Sequence, residues 1–245
     1  MNMQVLKHAP NFLTSLNVLC GTLATFLALN GMVDKAIWFI FIGALFDFSD
    51  GFAARALKAY SEMGKELDSL ADLISFGMAP ASIWSAIIRL KIMGSFSVPF
   101  SEMQTPEQFW IVSPFILVIF SALRLAKFNV DTRQTENFLG LTTTATGIFT
   151  ASFAYMFLNK PEWFGWLNPI IILILIFIFS LLLVSEISMF SLKFKNLKWS
   201  DNKERFILLG FALISIALLG LGGIAATILY YIIVSIIKWL LGSKS

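Results

Sequence analysis

"LNPIIILILIFIFSLLLVS" occupies residues 167–185 and contains no ionisable side chain. At a helical rise of about 1.5 Å per residue, a run of this length crosses the roughly 30 Å hydrocarbon core of a bilayer. Its apolar residues are continuous rather than alternating, so a helix and not a barrel strand satisfies its backbone in lipid. Comparable runs recur at about 11–29, 36–57, 63–90, 108–130, 139–158, 206–220 and 223–241. With 58% hydrophobic residues, 13% charged residues and a mean hydropathy of +0.80, the 245-residue chain has more apolar surface than one soluble core encloses. The fold class is all-α: a polytopic membrane bundle of about eight transmembrane helices. The last two runs meet at "GLGG", residues 220–223, the natural place for a tight turn; a single tilted or kinked helix is the competing reading and would move the C-terminus across the membrane.

Charge supports eight. With alternating loops, 14 of the 18 Lys and Arg residues fall on one side, and only Lys35, Arg89, Lys91 and Lys160 on the other. The positive-inside rule then places both termini in the cytoplasm, as expected for a multi-pass protein of the cell's inner, cytoplasmic membrane. Trp110, Trp163, Trp166, Trp199 and Trp239 sit near span ends, as an interfacial belt requires. Pro80 and Pro114 fall inside spans and predict kinks. The first run follows only Lys7 and His8 and is interrupted by Asn17 and Gly21, so it reads as a retained helix, not a cleaved signal. A single cysteine, Cys20, and a single histidine, His8, exclude a disulfide framework, a Cys-ligated zinc site and a His-based metal cluster. A net charge of +3 gives no reason to expect nucleic acid.

One segment departs from this apolar pattern. "FDFSDGFAARALKAYSEMGKELDSLAD", residues 46–72, places Asp47, Asp50, Asp68 and Asp72 where one span ends and the next begins. At about 100° per residue, Asp47, Asp50, Gly51, Ala54 and Arg55 share an arc of roughly 140°. Asp68 and Asp72 share a face of the following helix, with Gly64 one turn earlier. A short loop makes the two helices antiparallel neighbours, so the acidic faces can meet. Four converging carboxylates repel, and desolvating them is costly, so a cation belongs among them. An all-oxygen donor set favours Mg²⁺ or Mn²⁺, with Ca²⁺ also admissible, and four aspartates suffice for two ions. Gly51 and Ala54 leave room for a ligand, and Arg55 adds a charge suited to phosphate, although a lone arginine here also fits a snorkelling boundary residue. A cation or proton transporter is the rival reading of the same pattern.

The pattern D-x-x-D-G-x-x-A-R-x₈-G-x-x-x-D-x-x-x-D, formed by Asp47, Asp50, Gly51, Ala54, Arg55, Gly64, Asp68 and Asp72, resembles the signature of the CDP-alcohol phosphatidyltransferases. The resemblance implies that an alcohol attacks a CDP-activated lipid and releases CMP. It places metal ligation on Asp47, Asp50, Asp68 and Asp72, with Asp72 also acting as general base. It also places Gly51 and Ala54 against the nucleotide and Arg55 on its phosphates. Further CDP-diacylglycerol contacts are implied at Pro10, Asn11 and Thr14, which match a "PN-x-x-T" element, and at Ser61. Helix capping is the plainer account of Asn11, Thr14 and Ser61.

Three other segments are similar to bacterial membrane-bound members that use serine: "ALRLAKFNV" (122–130), "FLGLTTTATG" (138–147) and "VSEISMFSLKFK" (184–195). Lys127 stands where arginine is usual, and Thr142 and Thr144 replace two prolines. The expected reaction joins CDP-diacylglycerol to L-serine at the cytoplasmic leaflet. Arg124 and Lys127, three apart on one helix, are candidates for the serine carboxylate, although the positive-inside rule alone also accounts for them. Glycerol 3-phosphate and inositol phosphate are the alternative acceptors. The expected organisation is a six-helix catalytic domain over 1–205 followed by a helix pair over 206–245. A homodimer in contact with membrane lipids is implied by the resemblance alone.

Overall fold

The structure is a computed structural model that describes residues 8–131, 138–192, 196 and 198–242. Its helices are α1 (Ala9–Leu29), α2 (Val33–Ala56), α3 (Glu62–Asp72), α4 (Ala79–Met93), α5 (Thr105–Val112), α6 (Ile116–Val130), α7 (Thr143–Asn159), α8 (Pro169–Val184), α9 (Trp199–Leu219) and α10 (Gly222–Leu240). Five helical segments are long and apolar enough to cross a membrane: Ala9–Leu29, Val33–Ala56, Glu62–Met93, Thr105–Val130 and Gly222–Leu240. α8 is shorter but apolar, with no ionisable residue. Large side chains such as Phe12, Phe48, Leu213 and Leu218 are exposed along the outer surface, which suits lipid and not water. The chain is an all-α membrane protein.

Glu62–Met93 is the axis of the bundle: 72% of its most apolar window is buried, against 22–33% for the other four segments. Small residues let neighbours approach it. A Cβ at position 21 would lie 2.3 Å from Ser75 Oγ, and one at position 147 would lie 2.7 Å from the Phe76 ring, so only glycine fits at either. Polar bonds tie the helices where the surroundings are dry. Ser75 donates to the Asn17 carbonyl (2.8 Å), Trp84 Nε1 to Thr150 Oγ1 (3.1 Å) and Ser85 to the Ile111 carbonyl (2.7 Å).

Both internal prolines mark breaks. Between α3 and α4 the chain widens into a π-helical turn, Leu73–Met78, ending just before Pro80. Proline cannot donate the next helical bond and its ring crowds the preceding turn, so the ladder is re-registered here, immediately after Asp72. Pro114 sits in a 3₁₀ turn, Ser113–Phe115, joining α5 to α6.

The chain breaks at Gly220, whose φ of +58° suits glycine. The single-helix reading of the C-terminal stretch is therefore incorrect: α9 and α10 are separate and pack together, Gly223 lying against the Ser215 backbone. α9 begins earlier than expected, and its first turn is interrupted at the buried Asn202. The run expected from 139 becomes helical only at Thr143. Thr142, one of the two threonines in place of prolines, caps α7 by accepting from Ala145 N (3.2 Å). Just upstream, β1 (Phe138–Leu139) pairs antiparallel with β2 (Ser188–Met189) beyond α8, two-residue strands that an all-α reading did not foresee. Four of the five expected interfacial tryptophans, Trp163, Trp166, Trp199 and Trp239, are exposed.

Candidate active site

α2 and α3 run antiparallel after a short turn in which Lys58 takes a positive φ. Their facing turns bring together three of the four aspartates. One carboxylate oxygen from each of Asp47, Asp50 and Asp68 lies within 4.8 Å of the others. Asp50 is 5% exposed and accepts a 2.6 Å hydrogen bond from Thr14 of α1, whose hydroxyl also lies 3.0 Å from the Pro10 carbonyl. Among the described residues no Lys or Arg forms an ion pair with any of these carboxylates. An all-oxygen cluster, buried at Asp50 and half-buried at Asp47 and Asp68, with no ion-paired Lys or Arg among the described residues, fits a hard divalent ion, with Asp47, Asp50 and Asp68 as its holders.

Asp72 stands one turn deeper. Its carboxyl lies against that of Asp47 and within electrostatic reach of the Arg124 guanidinium, without a direct ion pair. Asp72 Oδ1 is buried and has no hydrogen-bond partner among the described residues. Arg124, on α6, is 6% exposed and stacks 4.8 Å over the Phe128 ring. A lipid-facing boundary charge would not be enclosed in this way, so the positive-inside rule is not a sufficient account of this residue.

Beside the carboxylates is an open cleft lined by residues of α1, α2, α3 and the intervening turn. Every residue expected to contact the CDP-lipid except Arg55 lines it: Pro10, Asn11, Thr14, Gly51, Ala54 and Ser61, joined by Asp50, Gly64 and Asp68. Arg55 is exposed and folds back beside Gly51, its Nη1 3.5 Å from where a Cβ there would stand. Ala59, Tyr60 and Lys65 also line the cleft, and sequence reasoning missed them. Lys65 was visible only as a loop charge; it donates to the Asn129 carbonyl at 3.2 Å, tying α3 to the end of α6.

The capping expectations divide. Ser61 does cap α3, accepting from Gly64 N at 3.0 Å, while its side chain also faces the cleft. Asn11 and Thr14 cap nothing, because α1 begins at Ala9 with His8 as its N-cap and both residues lie inside the helix. Gly64 makes space for the pair: a Cβ there would be 3.0 Å from Ser61 Oγ and 3.1 Å from Asn11 Oδ1.

Lys127, expected beside Arg124, lies one turn further along α6. It forms an ion pair with Glu186, just beyond α8, and lies 3.4 Å from the Val184 carbonyl. Arg124 and Lys127, one turn apart on α6, thus have different protein neighbours: Arg124 lies near Asp72, and Lys127 pairs with Glu186.

The CDP-alcohol phosphatidyltransferase family model matches residues 7–184. The chain belongs to that family. Membership accounts for the acidic cluster as part of a membrane-embedded transferase of phospholipid biosynthesis, and it sets aside the transporter reading. A CDP-diacylglycerol–serine O-phosphatidyltransferase of Bacillus subtilis (strain 168) is 32% identical over 182 residues, covering 74% of this chain and 89% of the relative. A protein of the same name from Helicobacter pylori (strain ATCC 700392 / 26695) is 28% identical over 233 residues, covering 94% and 90%. An archaetidylserine synthase of Methanothermobacter thermautotrophicus is 33% identical over 147 residues, covering 59% and 56%.

Proposed function

We propose that this family member transfers the phosphatidyl group of CDP-diacylglycerol to the hydroxyl of L-serine, giving phosphatidylserine and CMP. The observation that carries this reading is the meeting of Asp47, Asp50 and Asp68 at the rim of a cleft whose lining suits a nucleotide, with Asp72 and Arg124 behind them. The serine assignment is supported by relatives with that printed name that cover most of the chain.

In the proposed reaction the serine oxygen forms a bond to the lipid-bearing phosphorus. The bond from that phosphorus to the CMP oxygen breaks, and CMP leaves with its electron pair. Asp72 takes the hydroxyl proton; a buried carboxylate oxygen without a hydrogen-bond donor is free to accept one. A pair of Mg²⁺ or Mn²⁺ ions, when bound, would neutralise the pyrophosphate and the charge gathering on the leaving phosphate. Asp47, Asp50 and Asp68 would hold those ions in place, and Thr14 fixes the orientation of Asp50. Gly51, Ala54 and Gly64 let the nucleotide approach the backbone, with Pro10, Asn11 and Ser61 opposite and Arg55 at the rim. Arg124 offers a desolvated charge for the acceptor's carboxylate.

The same proposal extends to topology. Eight crossings, with α7, α8 and α9 as the spans beyond the five long segments, put both termini and the aspartates in the cytoplasm of a cell whose inner membrane holds the protein. The catalytic unit is taken as residues 1–205, with 206–245 an addition, and the active form as a homodimer.

Purified protein supplied with CDP-diacylglycerol labelled in the phosphatidyl group, a divalent metal, and serine, glycerol 3-phosphate or inositol phosphate tests the reading. Metal-dependent CMP release with labelled phosphatidylserine is expected. No CMP release with any acceptor overturns the activity, and release with glycerol 3-phosphate alone overturns the choice of serine.

A further inference from the structure

Beyond α8 the chain forms an arm, residues 185–191, that is held from three sides. β2 pairs with β1, and Gly140 N donates to the Ile187 carbonyl at 2.9 Å. From the C-terminal pair, Tyr231 donates its hydroxyl to the Phe190 carbonyl (3.0 Å) and packs its ring 4.8 Å from that of Phe190. Lys238 stands 5.7 Å over the same Phe190 ring while paired with Glu204, and Arg205 Nε donates to the Ser191 carbonyl at 2.8 Å. Met189 and Phe190 are buried, 1% and 6% exposed. Glu186 is carried on this fixed arm with its side chain 55% exposed, and it is joined to Lys127 one turn from Arg124.

A free amino acid presents a carboxylate and an ammonium separated by one carbon. Binding it requires a cation and an anion fixed beside each other, because a lone cation leaves the ammonium unpaired as it leaves water. We propose that Lys127 and Glu186 form this complementary pair and that Glu186 selects acceptors bearing an amino group. On arrival the acceptor exchanges the internal ion pair for two external ones: Glu186 takes the ammonium, Lys127 and Arg124 share the carboxylate, and the hydroxyl is left toward Asp72. The inference rests on the reading that serine is the acceptor, and it gives the C-terminal pair a task, to hold the arm that carries Glu186.

The test compares serine with 3-hydroxypropionate, which is serine without its amino group, as acceptors for the full-length protein in detergent–lipid micelles. Wild type should prefer serine in kcat/KM, and Glu186→Gln should reduce that preference about tenfold, or about 1.4 kcal/mol. The KM for CDP-diacylglycerol should stay within twofold, and Glu186→Asp should recover part of the preference. Lys127→Met should give the reciprocal result, weakening both carboxylate-bearing acceptors equally. An equal loss for both acceptors in Glu186→Gln, or no loss for either, overturns the inference while leaving the serine reading intact. A wild type that makes no phosphatidylserine overturns the serine reading itself.

Discussion

The two ends of the site are built differently. At the donor end, Asp47, Asp50, Asp68 and the small residues between them lie within a few turns of two consecutive helices. At the proposed acceptor end, Lys127 of α6, Glu186 and Phe190 of the arm and Tyr231 of α10 come from three separate parts of the chain and meet through an ion pair, a carbonyl contact and an aromatic contact. The donor end is defined by chemistry costly enough to be conspicuous: carboxylates in a dry place. The acceptor end is defined by packing, each contact modest by itself. The contrast predicts that mutations at the donor end abolish the reaction, whereas those at the acceptor end redirect it.

The largest effect is expected at Asp72. Asp72→Asn keeps the shape of the side chain but removes the proton acceptor, so turnover should fall about 10²- to 10⁴-fold. Binding of CDP-diacylglycerol should persist, because this residue does not line the cleft. Single-turnover CMP release and equilibrium binding of the labelled lipid check the two halves. Near-normal turnover would remove Asp72 as the base and leave it a structural neighbour of Arg124. Asp68→Asn, at the cleft, should by contrast impair both turnover and metal dependence.

This difference also explains what could be read from the residues alone. Aspartates at spacings of three and four define a face whatever the surrounding fold, so the acidic cluster was legible before any contact was known, whereas Pro10, Asn11, Thr14 and Ser61 came from the resemblance and Ala59, Tyr60 and Lys65 were not foreseen. Hydrophobic runs of membrane length likewise marked the helices, and "GLGG" offered the break at Gly220 while leaving a single kinked helix open. The enclosure of Arg124 was not legible, because a buried arginine and a boundary arginine look alike in a helix end. Glu186 drew no reading of its own within "VSEISMFSLKFK"; its pairing with Lys127, 59 positions earlier, is visible only in the fold. The β1–β2 pair escaped notice because two-residue strands have no periodicity to detect, and the arm they anchor follows an apolar helix that masks its start.

Thr14 sharpens the donor side at a smaller scale. Its hydroxyl is the described side-chain partner of a nearly buried Asp50. Removing such a supporting hydrogen bond costs about 10- to 100-fold in metal affinity at comparable sites. Thr14→Val, which preserves volume, should therefore raise the metal concentration for half-maximal rate about tenfold, with the rate at saturating metal much less affected. Thr14→Ser should restore it. An unchanged metal requirement would mean that Asp50 is oriented without Thr14.

The smallest effect tests whether the acceptor end is held by packing. Tyr231→Phe removes one hydrogen bond, to the Phe190 carbonyl, and retains the ring contact with Phe190. The loss should reduce stability by about 1 kcal/mol, the usual net worth of such a bond. If the C-terminal pair fixes the arm, the loosened arm should also raise the KM for serine about two- to threefold, an effect absent from CDP-diacylglycerol. A thermal melt in micelles and a pair of substrate titrations separate these effects. A lower melting temperature with both KM values unchanged would confine α10 to stability. A selective change for serine, produced by a hydroxyl on the last helix with no contact to the aspartates, would mark the arm as the part of the site that the C-terminal helices govern.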